Sequence, residues 1–302
     1  MNRFKIVLVI VLGLVLNSCY GDAENVLLSD QALPDGFKIC YMGDAGSGKA
    51  AQYRVAKALE KEGCDQVRYT GDVIYNHGLK SADDKDFQNK FYKPYKNLLE
   101  EQDVPFFMVM GNHDHHRSVD PWYEIAEKYK NIIFPHAYYA EAYKDICFLN
   151  LDTNFKRSEQ KKWLKQFFSQ EAFVNTCRLK FAMGHHPYRS VGRHGNAKFF
   201  IKSFLKKSLM GNVDAYFAGH DHNLSYDGTY KGTHLFVSGA GGKLRDLKKE
   251  PKEGNYAISQ YGYISLTILR EGTSLAAQYD FRVLADGAED FETTFTGVIA
   301  AQ

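Results

Sequence analysis

The chain has 302 residues, 44% hydrophobic and 25% charged, with a formal net charge of +2. That length and balance fit one large α/β domain or two small ones, and they exclude a chain that relies on bulk positive charge to bind nucleic acid. The lysine pairs Lys161-Lys162 and Lys206-Lys207 fall in helix-like stretches and read as solvated faces.

The first element in the chain is an export signal. Arg3 and Lys5 precede an apolar run from Ile6 to Leu16, too short for a permanent membrane span. The run ends in Leu16-Asn17-Ser18-Cys19, which is similar to a bacterial lipobox, with residues 1–18 removed and Cys19 lipidated. An ordinary cleaved signal with an incidental cysteine is the alternative; the small Ser18 favours the lipoprotein. The expectation is an exported bacterial lipoprotein, held to a membrane through Cys19 and facing the periplasm or cell surface. The polar stretch 19–36 reads as a tether, 37–283 as the catalytic domain and 284–302 as a tail without a pattern. Of the remaining cysteines, Cys40 and Cys147 lie within strand-like runs. A buried thiol is the commoner role there, although export permits disulfides for them and for Cys64 and Cys177. There is no CxxC and no thiolate zinc site.

From Phe37 onward, strand and helix patterns alternate. Helical patterns cover 48–62, 86–100, 121–130, 158–169 and 197–210. Strand patterns lie between them, with two in succession at 137–143 and 146–152. The last third turns to strand, at 234–238, 262–269 and 275–282. This order predicts an α/β (α+β) fold of four layers, a two-sheet β-sandwich flanked by helices.

Five of the apolar runs end in glycine followed by a side chain able to bind metal: Gly43-Asp44, Gly71-Asp72, Gly111-Asn112, Gly184-His185 and Gly219-His220, with His222 two residues on. Buried parallel strands read as continuous apolar runs, and open α/β sheets gather ligands at the strands' carboxyl ends. Glycine at each position lets the strand ends crowd together. Asp, Asn and His suit Fe, Mn, Zn or Mg, and there are too many donors for one ion. A two-metal centre shares a carboxylate across roughly 3.5–4 Å, and Asp72 is the natural bridge.

In this order, the blocks Gly43-Asp44-Ala45-Gly46, Gly71-Asp72-Val73-Ile74-Tyr75, Gly111-Asn112-His113-Asp114, Met183-Gly184-His185-His186-Pro187 and Gly219-His220-Asp221-His222 resemble the metallophosphoesterase superfamily. The form is that of the purple acid phosphatases, the small tartrate-resistant type most of all. Leu151-Asp152-Thr153, Arg193-His194-Gly195 and Val237-Ser238-Gly239-Ala240-Gly241 look similar too. The resemblance implies Fe(III) on Asp44, Tyr75 and His222, a second metal (Fe(II), Zn or Mn) on Asn112, His185 and His220, and Asp72 between them. It implies a Tyr75 phenolate that colours the protein, and an acid phosphatase that cleaves small phosphomonoesters with a metal-bound hydroxide. His113 and His194 would face the substrate, stabilise charge and protonate the leaving oxygen, with Asp114 orienting His113. Phosphodiesters and phosphoproteins are alternative substrates; nucleic acid is not an expected partner.

Adjacent strand residues point to opposite faces, so only one of His185 and His186 is a ligand, and the spacing to Pro187 favours His185. His115 and His116 read as loop surface, and His77, His136 and His234 carry no motif. Two rival readings exist. Gly43–Lys49 matches the phosphate-loop pattern G-x-x-x-x-G-K, but Ala50 stands where that loop needs a hydroxyl for Mg²⁺. A surface lipoprotein that keeps this fold only for binding is the other, and it does not explain why every ligand position is intact.

Overall fold

The computed structural model describes residues 25–170 and 176–301; the export segment and Cys19 lie outside them. Two sheets pack face to face, with strands numbered in chain order. One sheet runs β15 (Glu292–Ala300), β14 (Ser274–Leu284), β13 (Tyr261–Glu271), β2 (Lys38–Met42), β3 (Gln66–Tyr69), β4 (Phe106–Met108), β5 (Ile132–Ile133). The other runs β1 (Val26–Ser29), β6 (Tyr139–Tyr143), β7 (Ile146–Leu151), β8 (Leu179–Gly184), β9 (Ala215–Ala218), β11 (Thr233–Ser238), β10 (Leu224–Tyr230), β12 (Tyr256–Ile258). Each sheet contains a parallel run, β2-β3-β4-β5 at one edge of the first, continued by antiparallel β13, β14 and β15, and β7-β8-β9-β11 within the second, with antiparallel neighbours β6 and β10.

The strand composition follows from burial on both faces. In β2, Ile39 and Tyr41 point into the core between the sheets, while Cys40 and Met42 point into the core beneath the helices. Tyr41 stacks on Phe217 of the opposite sheet, with ring centroids 3.7 Å apart. Helix α1 (Ala50–Leu59), helical segment α2 (85–101, alternating α and π turns) and α3 (Asp120–Lys128) cover the first sheet. Helices α4 (Arg157–Ser169) and α5 (Phe199–Ser208) cover the second. The four layers match the expected architecture.

A buried cation and a buried anion were not anticipated. Arg68 of β3 and Glu141 of β6, 1% and 0% exposed, pair across the sandwich at 2.6 Å, and Asn150 Nδ2 donates to the same carboxylate at 2.6 Å.

The fold extends past both expected limits. Residues 26–29 of the expected tether form β1, in parallel register with β6. Residues 292–300 of the expected tail form β15, paired along β14. The short β5, β10 and β12 also carried no readable strand pattern. The buried-thiol reading is corrected too: Cys40 pairs with Cys64 and Cys147 with Cys177, with Cα–Cα distances of 5.9 and 5.5 Å. Each second cysteine precedes the parallel strand next to the first, so the crossover returns it to its partner, a proximity that spacing alone does not reveal.

Candidate metal centre

The five glycine-terminated strands end at one edge of the sandwich. Asp44, Asp72 and Asn112 follow β2, β3 and β4 of one sheet; His185 follows β8 and His220 and His222 follow β9 of the other. Close approach explains the glycines at two of these ends. A Cβ at Gly111 would lie 2.1 Å from Asp72 Oδ1, and one at Gly219 would lie 2.4 Å from Asp44 Oδ2. Asp44, Asp72 and His220 themselves adopt φ of 56°, 52° and 70°, the left-handed region that non-glycine residues avoid. Backbone strain of this kind collects at functional sites.

The side chains form two groups. Tyr75 Oη donates to Asp44 Oδ1 at 2.9 Å and lies 3.1 Å from His222 Nε2. His185 Nε2 lies 3.1 Å from Asn112 Oδ1 and 3.2 Å from His220 Nδ1. Asp72 reaches both groups: its Oδ1 is 3.4 Å from His185 Nε2, and oxygens and nitrogen of Asp44, Asp72 and His222 gather within 4.8 Å of one another. All seven candidate ligands therefore meet in one place.

The donor set fits metal ions. Asp44 and Asp72 are fully buried, and among the described residues the basic groups within 4 Å of their carboxylates are histidines. Burial, then the Asp72 charge, pushes the Asp44 carboxyl well above the usual range, a repulsion that a cation would relieve. Burial also opposes the charge on Asp72, but His185 and His113 beside it hold its carboxyl low. Burial, then Arg245 and Lys243, pushes His222 down to about 3, and burial with the surrounding histidines pushes His220 down as well. Neutral imidazole is the form that binds metal. Thr70 O can only accept, so His185 carries its proton on Nδ1, 3.0 Å away, and turns the Nε2 lone pair into the site. Burial and the two carboxylates hold the Tyr75 phenol protonated, so a tyrosinate ligand requires a cation to displace that proton.

His186 packs beside the cluster, its ring centroid 4.6 Å from that of His220, while its Nδ1 meets Thr153 Oγ1 at 2.7 Å. His113 Nδ1 donates to Asn76 O at 2.6 Å, which leaves Nε2 facing Asp72 Oδ2 at 3.9 Å. The expectation that Asp114 orients the His113 ring is corrected. Asp114 accepts from three backbone amides, Val73 at 3.0 Å, Ile74 at 2.9 Å and Gly111 at 2.8 Å, and so locks the two ligand-bearing loops to each other. His115 is not plain surface but pairs with Asp152 at 3.0 Å, whereas His116 is exposed. His234 stacks on Tyr226 and Phe236, within the sheet.

Three residues of the site escaped the sequence reading. Asp221 accepts from His194 N at 2.7 Å and Gly195 N at 3.0 Å, holding that loop over the cluster. Lys243 places its ammonium 3.5 Å from the centroid of the Tyr75 ring. Arg245 Nη1 donates to His194 Nε2 at 2.6 Å. Asp221 lies inside the Gly219–His222 motif, and only that position marked it; the two cations follow the Val237–Gly241 patch and carried no mark.

The phosphate-loop reading of Gly43–Lys49 fails on its hydrogen bonds. The amides that would cradle a phosphate are already engaged: Asp44 N with Gly71 O, Ser47 N with Ala45 O, and Gly48 N with Gln52 Oε1. They fasten the Asp44 turn instead.

Residues 37–224 match the family model described as calcineurin-like phosphoesterase. The chain belongs to this family. Among curated relatives, mouse tartrate-resistant acid phosphatase type 5 is 27% identical over 69% of this chain and 71% of its own length. Purple acid phosphatase 4 of Arabidopsis thaliana is 28% identical over 84% of each chain. Among solved structures, the Plasmodium protein GAP50, the anchor in the inner membrane complex, superposes with a TM-score of 0.72 at 19% identity, over 89% of this chain and 90% of its own. That last likeness speaks to fold alone. For this calcineurin-like phosphoesterase, family membership and the purple acid phosphatase relatives identify a phosphoester hydrolase and imply a dinuclear metal centre, consistent with the converging donors.

Proposed function

We propose that the protein is an exported acid phosphatase that cleaves small phosphomonoesters with two metal ions. The observation that carries this reading is the pairing of Asp44, Tyr75 and His222 on one side with Asn112, His185 and His220 on the other, and Asp72 between. The first set would hold Fe(III), which a phenolate ligand favours; the second would hold Fe(II), Zn or Mn. When bound, the two cations supply Lewis acidity for a water nucleophile and neutralise the phosphate. The chain's own part is positional. Asp114 and Asp221 fix the loops that carry His113 and His194, and the Asn76 carbonyl sets the His113 ring with Nε2 toward the pocket. From there His113 holds a proton for the leaving oxygen, and His194, on the opposite rim, stabilises developing charge.

His113→Ala and His194→Ala are therefore expected to keep both metals and to lose about 10²–10⁴-fold in kcat on 4-nitrophenyl phosphate. Metal analysis of the same preparations checks the separation. An emptied site in His113→Ala would make His113 a ligand, and unchanged kcat in both variants would remove the proposed roles. A parallel assay with bis(4-nitrophenyl) phosphate tests the ester class: faster turnover of the diester would replace phosphatase by phosphodiesterase.

The location is part of the proposal. Two disulfides suit an oxidising compartment outside the cytoplasm. Cys19→Ser is expected to move the protein from the membrane to the soluble fraction at full specific activity, because Cys19 lies outside the catalytic domain. Failure of labelled fatty acid to attach to the wild-type chain would refute the anchor.

A further inference from the structure

Two cations at the rim of the metal centre, Lys243 and Arg245, have no part in the roles assigned above. Lys243 covers Tyr75, which is itself only 3% exposed, so the ammonium lies on the solvent side of the first ligand group. Arg245 lies against the exposed His194. Among the described residues neither has a carboxylate within ion-pair distance, although the buried Asp72 and Asp44 act on Lys243 from further off. Their loop is nevertheless fixed. Arg245 N donates to His222 O at 3.0 Å, Ser259 Oγ donates to Arg245 O at 2.9 Å, and Lys248 N donates to Val191 O at 2.9 Å. Cations held in place at the rim of the metal centre, and not neutralised by a direct ion pair, are prepared for an anionic ligand. The phosphate undergoing cleavage belongs deeper, among the buried carboxylates and imidazoles.

We propose that Lys243 and Arg245 form an anion subsite that selects phosphoesters whose leaving group carries a second phosphate or carboxylate. This rests on the phosphoester reading of the metal centre. Lys243 is the cleaner probe, because Arg245 also touches His194.

The test is calorimetric binding of two non-hydrolysable ligands to the metal-loaded enzyme, propylphosphonate and 1,3-propylenebisphosphonate, which differ by one anionic group. The wild type is expected to prefer the bisphosphonate by about tenfold. Lys243→Gln should reduce that preference to about threefold, the Lys243→Gln/Arg245→Gln pair should bring it near parity, and Lys243→Arg should retain it. The same order is expected in KM for a sugar bisphosphate relative to its monophosphate. A wild type that hydrolyses 4-nitrophenyl phosphate yet shows no preference, or a double variant that keeps the preference, overturns the subsite alone. A wild type that neither binds propylphosphonate nor hydrolyses 4-nitrophenyl phosphate overturns the phosphoester reading and the subsite with it.

Discussion

Asp72→Asn is expected to weaken metal binding by more than about 100-fold, beyond what loss of a group behind the ligands costs, and to reduce phosphatase activity to background. The substitution keeps the shape of the side chain and removes one buried charge. That charge lies 3.4 Å from His185 Nε2 and belongs to the Asp44–Asp72–His222 cluster, so both ligand groups lose their shared anion. Stability should respond in the opposite sense. In the metal-free fold, burial and the Asp72 charge raise the Asp44 carboxyl above its ordinary value. A carboxyl raised in the folded state binds more protons there than in the unfolded chain, so it destabilises the fold as pH rises above the ordinary carboxylate range. The Asp44 contribution therefore favours the metal-free fold as pH falls from 7 toward that range, while His220 and His222, held neutral by burial, oppose it below the ordinary imidazole range, so the expected result is a difference in slope: Asp72→Asn should gain less on acidification than wild type. At pH 7 the variant should unfold within about 1 kcal/mol of wild type or above it. Urea unfolding of chelator-treated proteins, set beside metal titration of the same samples, reads both effects. A variant that loses metal only because it has lost its fold would contradict this account.

Glu141→Ala is expected to destabilise the protein by about 3–5 kcal/mol, the cost of leaving a buried cation unpaired. Arg68 is 1% exposed, held by two contacts to Glu141 at 2.6 and 3.2 Å, with the Phe148 ring centroid 3.6 Å from its guanidinium carbon. The pair joins β3 of one sheet to β6 of the other, so the loss falls on the sandwich itself. Replacing both partners with apolar residues, Arg68→Met with Glu141→Leu, should recover most of the stability, because buried pairs gain little over well-packed apolar groups. Denaturant midpoints of the single and double variants check this. A single variant within 1 kcal/mol of wild type would show that water reaches Arg68.

The metal centre was legible because its ligands are local: apart from Tyr75, each follows its own strand within four residues, so reading five strand ends locates five positions. Topology then brings the ends together, a step implied by the parallel order of β2, β3 and β4 and of β8 and β9. What escaped depends on pairing between distant segments. Arg68 sits in the middle of β3 and Glu141 in the middle of β6, and only the stacked sheets reveal them as partners. Cys64 and Cys177 precede their strands without any pattern that points back to Cys40 and Cys147. The edge strands β1, β12 and β15 draw on mixed residues, since one side faces solvent and burial does not force an apolar run. Lys243 and Arg245 lie on a loop with no periodicity, so their place over Tyr75 and His194 is known only from the fold.

The central claim, that these donors hold two metals for phosphoester hydrolysis, is tested most directly by metal content and visible spectrum of active protein purified without chelator. The account predicts two metals per chain, at least one of them iron, and a broad visible band that Tyr75→Phe abolishes. A colourless, active enzyme with two zinc or manganese ions would remove the iron assignment but keep the hydrolase. A chain that takes up fewer than two metals while hydrolysing phosphomonoesters at full rate would contradict the account.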